Sequence, residues 1–238
     1  MEQFIAFSPT YQHFVPPAEC TPTPQQRGRH PKENIMKLLH IDSSVLADNS
    51  VSRQLTARIV AEWKKSQPGL VVETLDVATD APDHLSGEIL GARFTPADAH
   101  NDLQKRETEL TNAFIEQFLA ADVLVIGAPM YNFSVPSQLK AWIDRIAVAG
   151  RTFKYTETGP VGLAGNKTVI VASTRGGVYS TTEAMRALDH QESYLKTVFG
   201  FLGISDVRFV RAEGISMGEA KKAEALEAAH KEIEAIAA

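Results

Sequence analysis

Apolar residues along this chain fall into two patterns that alternate. One is the short unbroken run, clearest at Val123–Ala128, where β-branched residues follow one another without polar interruption. That is the pattern of a strand buried on both faces of a parallel sheet. Stretches rich in β-branched and apolar residues but broken by polar ones, at Lys37–Ile41, Leu70–Leu75 and Asp206–Ala212, and the run Thr168–Ser173 predict four more strands. The other pattern recurs every three or four positions and predicts helices. It takes in Val51, Leu55, Ile59 and Trp63 behind Ser50 as N-cap, then Leu103, Leu110, Phe114 and Phe118. It returns at Leu139, Ile143 and Ile146 after Ser137, and at Leu226, Ala229, Ile233 and Ile236 in a last helix. Residues 77–100 form a loop-rich excursion and Gly150–Gly165 a turn-rich stretch with weak periodicity.

Strands alternating with helices predict an α/β fold in which a five-stranded parallel sheet carries helices on both faces. The fitting strand order is flavodoxin-like, 2-1-3-4-5. With 238 residues, 44% of them hydrophobic, one sizeable domain spanning 36–238 accounts for the patterned part. Residues 1–35 differ. Pro16, Pro17, Pro22, Pro24 and Pro31 punctuate them, and they are expected to be a disordered extension; a natural chain that begins at Met36 is the sharper alternative. A net charge of -5 gives no basic footprint for nucleic acid or a membrane surface. Cys20 is the single cysteine, so no internal disulfide or cysteine-based metal cluster forms. No His/Asp/Glu grouping has metal-ligand spacing, and no run approaches the ~18 apolar residues of a membrane span. A cytoplasmic protein without a metal is the expectation.

Candidate chemistry lies in three loops. In the predicted order, the first, third and fourth strands place their carboxyl-end loops side by side, where open α/β sheets bind ligands. The first loop, Asp42–Ser52, is rich in hydroxyls and opens a helix, so Ser44, Ser50 and Ser52 with the helix amides suit a phosphate. Plain N-capping by Ser50 is the alternative. In the third loop Met130, Tyr131 and Phe133 suit the faces of a flat ring and Asn132 its polar edge, unless they simply pack. The fourth, Ser173–Gly177, ends in Gly176 and Gly177, which let backbone approach a ligand and expose its amides. A phosphate seat, a flat apolar wall and polar donors on one sheet edge together suit FMN. A dinucleotide of the Rossmann type fits less well, because no G-x-G-x-x-G follows the first strand, and Gly162–Lys167 has the wrong spacing for a P-loop.

On Asp42–Ser44, Ser50–Ser52, Ala128–Phe133 and Thr174–Gly177, with Phe153–Pro160 and Gly200–Val207 in support, the chain resembles the FMN-dependent NADH-azoreductase and NADH:quinone oxidoreductase family. The resemblance runs from Met36 to the C-terminus. It implies a homodimer with one FMN per subunit, in which NADH delivers hydride to flavin N5 and quinones or azo compounds then take electrons at the same place, by ping-pong kinetics. Carried over by position, Ser44, Ser50, Val51 and Ser52 hold the phosphate and ribityl end. Met130, Tyr131, Asn132 and Phe133 bracket the ring, and Thr174, Arg175, Gly176 and Gly177 take its other edge. Family members often have a polar residue in place of Val51. Tyr155 and Phe199 are weaker candidates for the substrate-facing wall. No protein acid or base is assigned.

Two other readings compete. Gly214–Gly218 is a G-x-S-x-G between a strand and a helix, which would make Ser216 a hydrolase nucleophile. The only later histidine, His230, lies within the last helix, where a triad does not need it. A flavodoxin proper, passing single electrons between partners, needs no nicotinamide site, and the segments 77–100 and Arg151–Pro160 add walls such a carrier does not use. His40, amid strand residues, reads as a packed or solvent-facing histidine.

Overall fold

All five apolar runs form strands, and the periodic stretches between them form helices, in a computed structural model that describes residues 35–237. The expected extension and the alternative start at Met36 concern residues outside that range, apart from its first positions. In chain order the elements are β1 (Lys37–Asp42), α1 (Val51–Ser66), β2 (Val71–Asp76), α2 (Gly87–Gly91), α3 (Asp102–Ala120), β3 (Val123–Pro129) and α4 (Ser137–Ile146). There follow β4 (Phe153–Thr156), β5 (Gly159–Gly162), β6 (Thr168–Arg175), α5 (Glu183–Ala187), α6 (Glu192–Phe201), β7 (Asp206–Glu213) and α7 (Glu219–Ala237).

The main sheet has the order β2-β1-β3-β6-β7, and every pairing in it is parallel. This is the flavodoxin-like order expected from the sequence. The label changes from 2-1-3-4-5 only because a hairpin, β4–β5, intervenes in the stretch read as turns. Its strands are four residues each, too short for alternation to show.

Residues alternate across each strand, so the sheet feeds two cores. On one face Leu39, Ile41, Leu124, Ile126, Val169 and Val171 meet Phe114, Phe118, Trp142, Leu195 and Phe199 of α3, α4 and α6. On the other, Leu38, Val123, Val125, Ile170 and Val210 meet Leu55 and Ile59 of α1 and Ala229 and Ile233 of α7. Each such side chain contributes roughly 1.5–3 kcal/mol by leaving water. β3 is buried at all seven positions, which is why its sequence shows no polar interruption.

The excursion at 77–100 is pinned from below. Arg145 of α4 is fully buried, with its guanidinium 2.7 Å from Glu107 of α3 and donating to the Asp83 carbonyl at 2.9 Å. Thr111 takes a third bond at 3.2 Å. A buried pair of this kind is costly to break from one side, about 3–5 kcal/mol, and so it fixes α3, α4 and the excursion relative to each other.

Candidate functional site

The carboxyl ends of β1, β3 and β6 lie side by side, and three loops leave them there. In the first, Ser50 caps α1 by accepting from the Arg53 amide at 3.3 Å, while its hydroxyl lies 3.0 Å from that of Ser52. The Gln54 amide donates to the Ser50 carbonyl. That leaves the amides of Val51 and Ser52 without an acceptor among the described residues, at the positive end of a 16-residue helix. Capping by Ser50 is therefore observed, and it leaves two amides at the helix start free for an anion. The Val51 side chain belongs to the core beside α1, so its amide is the group left facing the loop.

The frame around this seat is polar and tied down. Arg53 donates to both oxygens of Asp76 at 2.7 and 2.8 Å and to the Ser44 carbonyl at 3.0 Å. Thr56 donates to Asp42 at 2.9 Å, and Ser43 donates to the Gly127 carbonyl. His40 lies 3.3 Å from Asp42, without hydrogen-bond alignment. Gly127 faces this group: a Cβ there would come within 2.9 Å of the Asp42 carboxylate and 3.5 Å of the Ser52 hydroxyl.

The third loop is a tight two-residue turn. Tyr131 and Ser134 exchange backbone hydrogen bonds of 3.0 and 3.1 Å, and Asn132 and Phe133 between them have φ of 49° and 70°. Left-handed backbone at both central positions is the primed turn that glycine favours, and asparagine tolerates it. Phenylalanine does not, so its side chain is held there against local preference. Phe133 is 47% exposed, with Tyr179 edge-on at 6.3 Å. The Tyr131 hydroxyl lies 3.2 Å from that of Ser44, joining the first loop to the third. A cavity of about 570 Å³ opens beside the turn toward α4 and α6, with Val45, Tyr131, Asn132 and Tyr194 in its lining. Burial pushes the Tyr194 phenol well above its ordinary range, with Asp144 adding to the effect, so it stays a neutral donor.

In the fourth loop the side chain of Arg175 turns away from the sheet edge. It is fully buried and meets Asp189 at 2.8 Å, Glu192 at 2.6 Å and Glu213 at 2.8 Å, while Arg211 shares Glu192. Arg175 is thus an anchor for the loop rather than a side chain offered to a ligand. Burial pushes Glu213 up, but hydrogen bonds from Ser180, the Tyr179 amide and Arg175 outweigh it and hold the carboxyl below the ordinary range. The Thr174 side chain is buried too, and the Thr174 carbonyl accepts from the Met130 amide at 2.8 Å. Gly176 and Gly177 keep amides without an acceptor among the described residues.

A residue that sequence reasoning missed holds the third and fourth loops at a fixed distance. Gln191, fully buried, donates to the Ala128 carbonyl of β3 at 2.8 Å and accepts from the Ser173 hydroxyl of β6 at 2.9 Å. The next residue back reinforces it, because the His190 amide donates to the Phe133 carbonyl at 3.1 Å. Gln191 immediately precedes α6, which buries a stripe of Leu195 and Phe199, with Leu202 following at its C-cap. Phe199 belongs to that stripe: it is 0% exposed in the core, so it forms no substrate-facing wall. Tyr155 is 73% exposed on the hairpin and packs edge-on against Phe153, away from the three loops' own contacts.

The G-x-S-x-G segment is structural. The Ser216 amide donates to the Gly176 carbonyl at 3.1 Å, and a Cβ on Gly176 would lie 3.0 Å from the Ser216 hydroxyl. Met217 closes a turn onto Gly214, and Ser216 makes no side-chain hydrogen bond among the described residues. Ser216 therefore backs the Gly176 loop without a histidine partner.

Comparison with known proteins places the fold in a family. Residues 36–237 match the model of a family described by its flavodoxin-like fold. An FMN-dependent NADH:quinone oxidoreductase of Laribacter hongkongensis is 69% identical over 198 residues, covering 83% of this chain and 98% of the relative. One from Polaromonas naphthalenivorans is 67% identical, covering 83% and 91%. Among solved structures, an FMN-dependent NADH-azoreductase from Bacillus anthracis in complex with FMN superposes with a TM-score of 0.78 at 31% identity, covering 85% of this chain and 97% of that one. The chain belongs to the family of flavodoxin-like FMN-dependent NADH:quinone oxidoreductases and NADH-azoreductases.

Proposed function

We propose that this protein binds FMN and uses NADH to reduce quinones by two electrons and to cleave azo compounds to amines, by a ping-pong mechanism. The observation that carries the reading is the convergence of free amides at Val51, Ser52, Gly176 and Gly177 on either side of the strained Asn132–Phe133 turn. The residues fit the cofactor. The two α1 amides, with the hydroxyls of Ser44, Ser50 and Ser52, suit a phosphate at a helix N-terminus. Met130, Tyr131 and Phe133 supply apolar surface to an isoalloxazine ring, and Asn132 with the two glycine amides supplies donors to its edge.

When bound, FMN supplies the hydride acceptor and donor that amino-acid side chains lack. The chain's own work is positional. Arg53, through Asp76 and the Ser44 carbonyl, holds the phosphate loop. Gln191 sets the separation of the third and fourth loops, and Arg175 holds the loop of Gly176 and Gly177, whose amides would donate to the edge of the bound ring. The cavity beside Tyr131 and Tyr194 gives room for substituents of a larger acceptor.

The reading extends to a homodimer, supported by the apolar surface of the hairpin, where Tyr155, Val161 and Leu163 are exposed together. It extends also to the reducing cytoplasm, which a single cysteine suits. Among the described residues no helix is long and apolar enough to cross a membrane. Anaerobic titration tests the function. NADH should bleach the yellow of the FMN-loaded protein, and a quinone or an azo dye should restore it. Protein that retains no flavin when purified with FMN would end the reading, and flavin that NADH leaves oxidised would favour the single-electron carrier.

A further inference from the structure

A second cavity, of about 320 Å³, lies beyond Gly177 on the β6–β7 side of the ring walls. Tyr179 forms part of its lining and also meets Phe133 edge-on, so the cavity adjoins the flavin wall directly. In sheet order it stands at the opposite end from the α1 seat. β1 to β7 is three strand steps, about 14 Å. A ring lying across β3 and β6 therefore has one phosphate-accepting end at α1 and this cavity at the other.

The cavity's charge is unusual for an acidic protein. Four cationic side chains line it against two carboxylates. Arg175 and Arg211 are consumed by Asp189, Glu192 and Glu213. Arg186 and Lys196 are not. Arg186 donates to the Ser180 carbonyl at 2.9 Å, Lys196 sits 5.1 Å over the Phe209 ring, and neither has a carboxylate partner among the described residues. Both are exposed, and Ser193 adds a hydroxyl to the same lining. The mechanism above uses none of these three.

We propose that this cavity is the subsite for the diphosphate of the NADH donor, with Arg186 and Lys196 as its charge partners. The inference rests on the flavin reading, since it assigns the nucleotide a place relative to that ring. Two cations on separate elements can straddle a diphosphate, while the ring stacked on the flavin needs no charge partner. Acceptors without phosphate gain nothing from the cavity, so it separates donor from acceptor affinity within one shared site.

The test uses FMN-loaded protein. Calorimetric titration with ADP-ribose, which carries the diphosphate but no nicotinamide, should show binding to the parent and roughly tenfold weaker binding to an Arg186→Gln, Lys196→Gln double variant, a modest factor because both groups are exposed. Adenosine, lacking phosphate, should not distinguish the two proteins, and Arg186→Lys should restore most of the ADP-ribose affinity. Added salt should weaken ADP-ribose in the parent more than in the variant. Equal ADP-ribose affinity in both proteins, or none in the parent, would overturn the proposal. Bleaching by 1-benzyl-1,4-dihydronicotinamide, a donor without phosphate, separates the two levels. If it reduces the parent, the flavin reading stands whatever ADP-ribose does; if neither it nor NADH does, the flavin reading itself fails.

Discussion

Phe133 is where backbone preference and side-chain chemistry oppose each other most plainly. It occupies the second central position of the primed turn with φ of 70°, where an L-residue costs about 1–2 kcal/mol relative to glycine. Its one aromatic partner among the described residues, Tyr179 at 6.3 Å, returns about 0.5–1.5 kcal/mol. The two truncations Phe133→Ala and Phe133→Gly lose the same ring, so the difference between them isolates the backbone. Glycine removes the strain but loosens the unfolded chain, which offsets about 0.4–1 kcal/mol of the gain. The glycine variant should therefore exceed the alanine variant by about 1 kcal/mol, a Tm gap of about 2–4 °C for a chain of this size. Thermal unfolding of the flavin-free proteins reads this gap directly. Both variants should bind FMN roughly five- to tenfold more weakly, for want of a stacking partner of about 1 kcal/mol, in a fluorescence-quenching titration. An alanine variant as stable as the glycine one would refute the strain argument. A glycine variant that binds FMN like the parent would refute the role of the ring.

Other positions give independent checks. Gly127→Ala places a Cβ 2.9 Å from the Asp42 carboxylate and should destabilise the protein by about 1–3 kcal/mol in urea, weakening FMN as the Ser52 side shifts; unchanged stability would mean the frame can yield. Gln191→Leu strands the Ala128 carbonyl and Ser173 hydroxyl in the core and should cost about 2 kcal/mol, with FMN affinity falling as well; a stability loss at constant affinity would reduce Gln191 to a packing role. Glu213 has a folded pKa below the ordinary value of 4.5, so its contribution is present above that pH and is lost as pH falls through the lower folded value. Glu213→Gln should accordingly show its full stability deficit at pH 7 and a shrinking one as pH falls below 4.5, and a deficit independent of pH would contradict the ion-pair account.

The sheet was legible because β3 and β6 are buried on both faces, which leaves continuous apolar runs, and because α1, α3, α4 and α7 each bury one stripe. The hairpin was not, since strands of four residues, one of them with glycine at both ends, carry no periodic signal. The seat's composition was readable in Ser50–Ser52, Met130–Phe133 and Gly176–Gly177. Its mechanics were not. Arg175 looks like a ligand residue within its motif, and only the distant Asp189, Glu192 and Glu213 show that its side chain points inward. Gln191 carries no motif at all, because its role comes from two strands that approach one another only in the fold. Phe199 misleads in the opposite sense: an aromatic near a matched segment belongs to the buried stripe of α6.

On the proposed function, loops from three strands form one flavin seat whose donors are backbone amides. Titrating FMN into ¹⁵N-labelled protein tests it most directly. The amide resonances of Val51, Ser52, Gly176 and Gly177 should all move with a single dissociation constant, equal to the one measured by fluorescence quenching, while amides of α7 stay still. FMN binding that leaves those four amides unmoved, or moves the α1 pair and the glycine pair with different constants, would contradict a single seat.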